Sequence, residues 1–507
     1  MRTPARRTRR GIVLALAVAT VTAMVTAPGG AASSGAAAAA TTLAGTRPNI
    51  VLLLTDDQSI AASKVGMPYL QRGIAAGDYV NFTNAEVNNS LCCPSRGAIL
   101  SGQVDTRNGV LHNSLGPALN DSTTAVVALD QAGYRTGLIG KYFNGYSDAL
   151  GRPAGWDDFQ PVQLRNIYTQ YDYQISNNGT IETYGSDPAD YMVDVLADKA
   201  ETFLNQTPVD QPFFLMVTPT ATHGPFIPAP RHQGAFASTP VTFPPNFNEA
   251  NVSDKPQWVR QLPLAPKPDM TSLTRKQWTA GLAVDDMLRA LEANLAASGR
   301  LDNTVVVVMS DNGLANGAHR HLEKRCEFRE CAAVPLAVRY PGQAGRTDTR
   351  LVSNTDLAPT FLALAGAAPL TVQDGVSQVR VLEDPTGAVK PRTSILGHWV
   401  GGDNNGVYDP NNRPTPGFYS LRQAGWRYVE VTNTAVSGGI ERELYNQVND
   451  PYELKNRAAE PGQANRVAQM QAAMYRLITA SGGTTGQQGT WSPGAVADPA
   501  YRYFDDG

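Results

Sequence analysis

Leu91-Cys92-Cys93-Pro94-Ser95-Arg96-Gly97-Ala98-Ile99-Leu100-Ser101-Gly102 is the stretch on which the reading of this chain turns. The chain has 507 residues and four cysteines, two of them adjacent here. Pro94 suits a first helical turn, where its missing N–H leaves no bond unmade, and Gly97 to Leu100 can continue a helix. The start of such a helix offers unpaired N–H groups and a positive dipole end, so a reactive group at Cys92 would face an anion site. Arg96, four residues on, lies on the same side of that helix. Read structurally, the same cysteines are buried thiols or disulfide halves, and spacing alone does not choose between the two.

Working outward, Asn49 to Thr55 is a continuous apolar run ending in Asp56-Asp57, and Thr304 to Met309 is another, ending in Ser310-Asp311-Asn312. Both predict buried parallel strands. Tyr134 to Gly140, before Lys141, and Pro212 to Thr218, before His223, share that character. Helical patterns over Thr123–Gln131, Ala189–Leu204 and Arg275–Ala297 alternate with them, which predicts an α/β fold with a doubly wound, mostly parallel sheet flanked by helices. Ligands of such sheets collect beyond the carboxyl ends of the strands, where these polar residues fall.

From about residue 386 to 480 the pattern changes to short strand-like runs (Phe418–Arg422, Trp426–Thr432, Glu443–Tyr445) and a helix over Gln463–Ile478. This predicts a smaller C-terminal antiparallel sheet with a packed helix. Residues 46–385 form the catalytic domain in this reading, and 481–507 a loose tail in which Tyr501 to Phe504 can dock. The proline-rich stretch Gly224 to Met270 has no periodicity and is assigned to one wall of the site's mouth.

Two carboxylates at one strand end and an Asp-Asn pair at another are hard oxygen donors. With no histidine or thiolate pattern suited to zinc, they imply Ca²⁺, with Mg²⁺ as the alternative. Taken singly, an Asp-Asp after a strand is more often a helix N-cap or a solvated turn; two such pairs beside the Cys92 segment reverse that reading.

The Cys92 segment resembles the signature of the type I sulfatases, Cys-x-Pro-Ser-Arg-x-x-x-Leu-(Thr/Ser)-Gly, over eleven positions. In that family the first cysteine is oxidised to formylglycine, the catalytic aldehyde, by a formylglycine-generating enzyme. The resemblance implies an alkaline-phosphatase-like sheet and one divalent cation held by Asp56, Asp57, Asp311, Asn312 and the converted Cys92. Gly133-Tyr-Arg-Thr-Gly-Leu-Ile-Gly-Lys141 is similar to the family's second signature and assigns Lys141 to sulfate. His223 in Thr222-His-Gly-Pro225 and Lys324 in Leu322-Glu-Lys-Arg325 match the groups that contact sulfate and leaving group, with Arg325 as the substitute for Lys324; His319 and His321 are given no role. Arg96 would hold the anion with both lysines, and Asp311 would help activate the nucleophilic hydroxyl of the aldehyde hydrate. Arylsulfatases mostly carry a histidine two positions after the signature lysine; this chain has Phe143, and Gly140-Lys-Tyr-Phe-Asn144 resembles the N-acetylglucosamine-6-sulfatases. A 6-sulfated N-acetylglucosamine in a glycosaminoglycan-type glycan is the implied substrate. The alternatives are an arylsulfatase, a phosphate or phosphonate ester hydrolase of the same superfamily, and a non-catalytic glycan-binding homologue.

The first ten residues hold five arginines, followed by the apolar stretch Ile12–Ala27 and Ala/Ser/Gly-rich sequence. Residues 1–45 are thus expected to be an export signal of the Sec or Tat type and leader, marking a secreted protein with no stable membrane insertion after its removal. The apolar stretch is shorter than the ~20 residues that a membrane span needs. Losing those arginines takes the net charge from −3 to −8, so a basic nucleic-acid footprint is absent. In an oxidising compartment Cys326 can pair with Cys331, although sequence leaves the connectivity open.

Overall fold

The computed structural model describes residues 47–163, 166–390, 392–402, 415–433 and 435–483. The expected export signal, nearly all of the expected tail, and Tyr501 to Phe504 within it lie outside the described residues. Ten strands precede the change of pattern: β1 Asn49–Thr55, β2 Val80–Glu86, β3 Arg135–Gly140, β4 Asp158–Pro161, β5 Gln174–Asn177, β6 Thr180–Thr183, β7 Phe213–Thr218, β8 Thr304–Ser310, β9 Leu336–Arg339 and β10 Arg346–Ser353. β5 and β6 pair as a separate hairpin. The other eight form one sheet in the order β10-β2-β9-β8-β1-β7-β3-β4. Every pairing in it is parallel except those of β9, which runs antiparallel to β2 and β8.

Apolar side chains cover both faces of the sheet. Ile50, Leu52 and Leu54 of β1, with Val305, Val307 and Met309 of β8, enter one core. Val51 and Leu53, with Val306 and Val308, enter the other, where the Met192–Gln206 and Lys267–Ala297 helices pack. That two-sided burial is why these strands read as unbroken apolar runs rather than alternating ones. The long helix begins eight residues before its apolar periodicity suggests, because Pro268 is tolerated in a first turn.

β11 Ser394–Trp399, β12 Phe418–Gln423, β13 Trp426–Thr432 and β14 Ile440–Asn446 make a four-stranded antiparallel sheet. One face carries Leu421, Tyr428 and Leu444 against Met470, Met474 and Ile478 of the Ala464–Ala480 helix. Its other face puts Trp399, Phe418, Val429 and Val431 on Leu91. Arg427, buried, joins Glu86 at the end of β2 (2.9 Å) to Glu453 (2.8 Å), so the small sheet is tied to the large one beside residue 92.

Candidate active site

β1, β3, β7 and β8 are neighbours and end on one edge, and each hands a polar residue to the same place. Lys141 follows β3, with its N–H on the Thr218 carbonyl (2.8 Å), and Asp311 follows β8, with its N–H on the Thr55 carbonyl (3.0 Å). The chain past β1 turns sharply, because Asp57 takes a left-handed φ of 56°, a conformation aspartate tolerates. Asp56 and Asp57 can then face the same centre. Thr222, after β7, has a φ of 77°, unusual for a β-branched residue, and its hydroxyl donates to the Asp56 carbonyl (2.7 Å).

Cys92 opens the Cys92–Ser101 helix, all of whose residues are buried. The first-turn N–H of Cys93 donates to Asn113 Oδ1 (3.0 Å), satisfying one of the orphan donors of the helix start. The Cys92 Sγ lies 3.4 Å from Asp56 Oδ1, 4.0 Å from Asp57 Oδ1 and 3.1 Å from Lys324 Nζ. Arg96, one turn on, donates from Nε to Asp311 Oδ2 (2.9 Å) and from Nη1 to the Lys141 carbonyl (2.7 Å). Its Nη2 is 2.9 Å from the same Asp311 oxygen, without hydrogen-bond alignment, and 3.6 Å from Asp56.

Lys141 Nζ meets Asp56 Oδ2 (2.6 Å), and Lys324 Nζ meets both Asp57 oxygens (2.9 Å each). His223, half-buried, lies with Nδ1 2.7 Å from the Gly224 carbonyl, which assigns the hydrogen to Nδ1, and with Nε2 3.4 Å from Asp57 Oδ2. Asn312 donates to Asp57 Oδ1 (2.6 Å). All the sequence-predicted residues therefore converge: three carboxylates, three permanent cations, an asparagine, a histidine and the cysteine.

Burial dominates the electrostatics. It opposes ionisation of Asp56, yet Lys141, His223, Arg96 and Lys324 together hold that carboxyl well below the usual range. Asp57 is likewise lowered against its burial, chiefly by Lys324. Asp311 goes the other way, pushed up to about 6 by burial and the charge of Asp56. Burial and Asp56 also raise the Cys92 thiol well above its ordinary value, so an unmodified cysteine here is a poor nucleophile.

The residues fit a hard divalent cation. Oxygens of Asp56, Asp57 and Asp311 and the Cys92 Sγ lie within 4.8 Å of one another, and the buried Asn312 Oδ1 has no hydrogen-bond partner. Such an orphaned acceptor beside three carboxylates is what a cation ligand looks like before the ion is added.

Several neighbours carry no sequence signal. Tyr168, on the loop after β4, reaches Lys141 Nζ with its hydroxyl (3.0 Å) and stacks on the His223 ring at 3.8 Å. Gln277, from the long helix, donates to the Asp57 carbonyl (3.0 Å). Phe143, at the position where arylsulfatases mostly carry a histidine, points into the apolar core against Tyr142. His319 is bound to Glu249 (2.6 Å), and His321 contacts the Lys324 carbonyl (2.9 Å), so both support the loop. Cys326 and Cys331 form a disulfide just past Lys324, and Val252 and Val259 of the proline-rich stretch pack on it.

Comparison with known proteins gives the same picture. Residues 48–367 match the family model described as Sulfatase, and residues 317–480 match the model described as N-sulphoglucosamine sulphohydrolase, C-terminal. The human N-acetylglucosamine-6-sulfatase is 32% identical over 92% of this chain and 90% of its own length. An extracellular sulfatase homologue of Drosophila melanogaster is 31% identical over 68% of this chain, which corresponds to 32% of that larger protein. A solved structure of a protein in complex with its substrate D-glucosamine-2-N,6-O-disulfate superposes with a TM-score of 0.71 at 25% identity, covering 86% of this chain and 98% of that one.

Proposed function

The chain belongs to the sulfatase family of sulfuric ester hydrolases, and from that premise we propose that it removes 6-O-sulfate from N-acetylglucosamine-type sugars, using formylglycine at residue 92 and one divalent cation. The observation that carries this reading is the convergence of Asp56, Asp57, Asp311, Lys141 and Lys324 on the residue 92 side chain. The sugar is supported by the identity with the human N-acetylglucosamine-6-sulfatase and by the likeness to the glucosamine disulfate complex.

Asp56, Asp57, Asp311 and Asn312 would hold the cation, with calcium favoured by the all-oxygen set. When present, the cation supplies Lewis-acid polarisation, and the aldehyde hydrate at residue 92 supplies a hydroxyl nucleophile with an internal route for expelling sulfate, which serine or cysteine lacks. The protein's own groups do the rest. Arg96 fixes Asp311 and the Lys141 backbone in one register. Lys141 and Lys324 flank residue 92 and meet the negative charge of the sulfate group. Asp311 accepts the proton of the attacking hydroxyl, and His223 or Lys324 delivers one to the departing sugar oxygen.

Export to an oxidising compartment is supported by the arginine-rich leader, by the Cys326–Cys331 disulfide and by the extracellular fly homologue. No helix among the described residues is long and apolar enough to cross a membrane. The division into a catalytic part, 46–385, and a subdomain, 386–480, is supported by the separate antiparallel sheet that opens at Ser394.

The test is the mass of the tryptic peptide Gly73 to Arg96 from protein made in its native host, followed by turnover of sulfate and phosphate esters of the same alcohol. An aldehyde at residue 92 and preferred cleavage of 6-sulfated glucosamine are the expected results. An unmodified thiol, in a host whose modifying enzyme is active on another sulfatase, would refute the catalytic reading and favour a glycan-binding role. Faster phosphate or phosphonate hydrolysis would move the chain to the ester hydrolases of the wider superfamily.

A further inference from the structure

Tyr168 is buried, and three of its contacts converge on the site. Its oxygen accepts from Lys141 Nζ (3.0 Å) and from Asn144 Nδ2 (3.0 Å). An ammonium and an amide nitrogen are donors only, so neither uses the phenol's own hydrogen. Among the described residues no acceptor is bonded to that hydrogen. The ring lies almost parallel to the His223 imidazole, at 3.8 Å and 9°, and the Lys141 ammonium sits 5.1 Å from its centre. One side chain thus touches both the sulfate-facing lysine and the leaving-group histidine, which sit after different strands.

We infer that Tyr168 is a positioning residue that sets Lys141 and His223 relative to the substrate, and that its unused hydroxyl hydrogen is donated to a sulfate oxygen. It forms the polar wall that Phe143, turned into the core, does not supply. The inference rests on the sulfatase reading above. Burial keeps the phenol protonated, with the Lys141 charge opposing, so it acts as a neutral donor rather than a base. Asn144 fixes the phenol from the other side: its N–H donates to Cys93 Sγ (3.1 Å), so the Lys141–Asn144 turn and the Cys92 helix move together.

Two variants separate the parts. Tyr168→Phe keeps the ring and removes the hydroxyl; Tyr168→Leu removes both. For Tyr168→Phe we expect kcat/KM on a 6-sulfated glucosamine to fall about 10- to 100-fold, the size of a hydrogen bond to a charged group. Calorimetric binding of inorganic sulfate to protein with unconverted Cys92 should weaken by a similar factor, measured well below the unfolding midpoint, which the loss of two buried hydrogen bonds at the phenol oxygen lowers. Tyr168→Leu should in addition lower kcat below that of Tyr168→Phe on the sugar sulfate, whose departing oxygen needs a proton, and less so on an aryl sulfate, whose leaving group does not. Wild-type values of kcat/KM and sulfate affinity in Tyr168→Phe, or a kcat of Tyr168→Leu equal to that of Tyr168→Phe on both esters, would overturn the hydroxyl and ring roles respectively. A wild-type protein that neither binds sulfate nor cleaves any sulfate ester overturns the sulfatase reading instead, and this inference with it.

Discussion

Replacing Arg96 by glutamine removes the side chain that lies between the buried carboxylates of Asp311 and Asp56, and the structure sets the size of the effect. Arg96, Asp56 and Asp311 are all fully buried, and the guanidinium lies 2.9 Å from Asp311 and 3.6 Å from Asp56. Breaking a buried pair by deleting one partner costs about 3–5 kcal/mol, because the remaining charge keeps its desolvation penalty. Against a total stability of roughly 5–15 kcal/mol, that is a large fraction. The loss should depend on pH. Asp311 already stands at about 6 rather than in the ordinary carboxylate range, and without Arg96 it rises further. A carboxyl raised in the folded state contributes stability that is present at low pH and lost as pH rises through the folded value, so Arg96→Gln should be hurt less at pH 5 than at pH 8. A divalent cation at about a hundred times its Kd should restore roughly 2.7 kcal/mol by binding the same carboxylates in the folded state alone. Urea unfolding with EDTA and with calcium, at both pH values, measures all three. A loss under about 1 kcal/mol, or one equal at pH 5 and 8, would refute the view that Arg96 neutralises Asp56 and Asp311.

Chelation of the wild type should abolish ester hydrolysis and lower the thermal midpoint, with calcium restoring both; unchanged activity in EDTA would remove the cation from the site. Phe143→His should not supply a histidine to the site, because the ring sits in the core against Tyr142: we expect a loss of about 1–3 kcal/mol and no gain in kcat. Glu327 is raised to about 7 by burial, although Trp258 and Glu443 hydrogen-bond it. Its contribution is therefore complete below the ordinary glutamate value and disappears as pH climbs through about 7; Glu327→Gln should flatten the fall in stability over that window, by on the order of 3 kcal/mol in urea titrations. Gly140→Ala should cost at least ~2 kcal/mol and displace Lys141, since φ is 118° and a Cβ would lie 2.3 Å from the Thr218 carbonyl oxygen.

The strands that carry the site were legible because they are buried on both faces. β1, β3, β7 and β8 show as apolar runs with the polar residue at the right end, and a local motif marks Cys92 and Arg96. The edge and short strands were not legible. β10 is largely polar and its burial follows no period of two, β2 mixes Asn and Thr with its apolar residues, and β4 and β9 are four residues long. β9 also runs against its neighbours, a direction that no local pattern encodes.

Sequence by itself determined the α/β class, the sulfatase family and the residues that meet at the centre, because each of those residues sits in a short motif or at a strand end. The tertiary structure decided what surrounds them. It brought Tyr168 from an aperiodic loop onto Lys141 and His223, turned Phe143 inward and spent His319 and His321 on holding the Lys324 loop. It also decided the protonation balance, with Asp56 held low and Asp311 pushed up although both are aspartates following buried strands. Contacts between segments tens to hundreds of residues apart, in a low-dielectric interior where one charge sets the next, have no counterpart in local sequence.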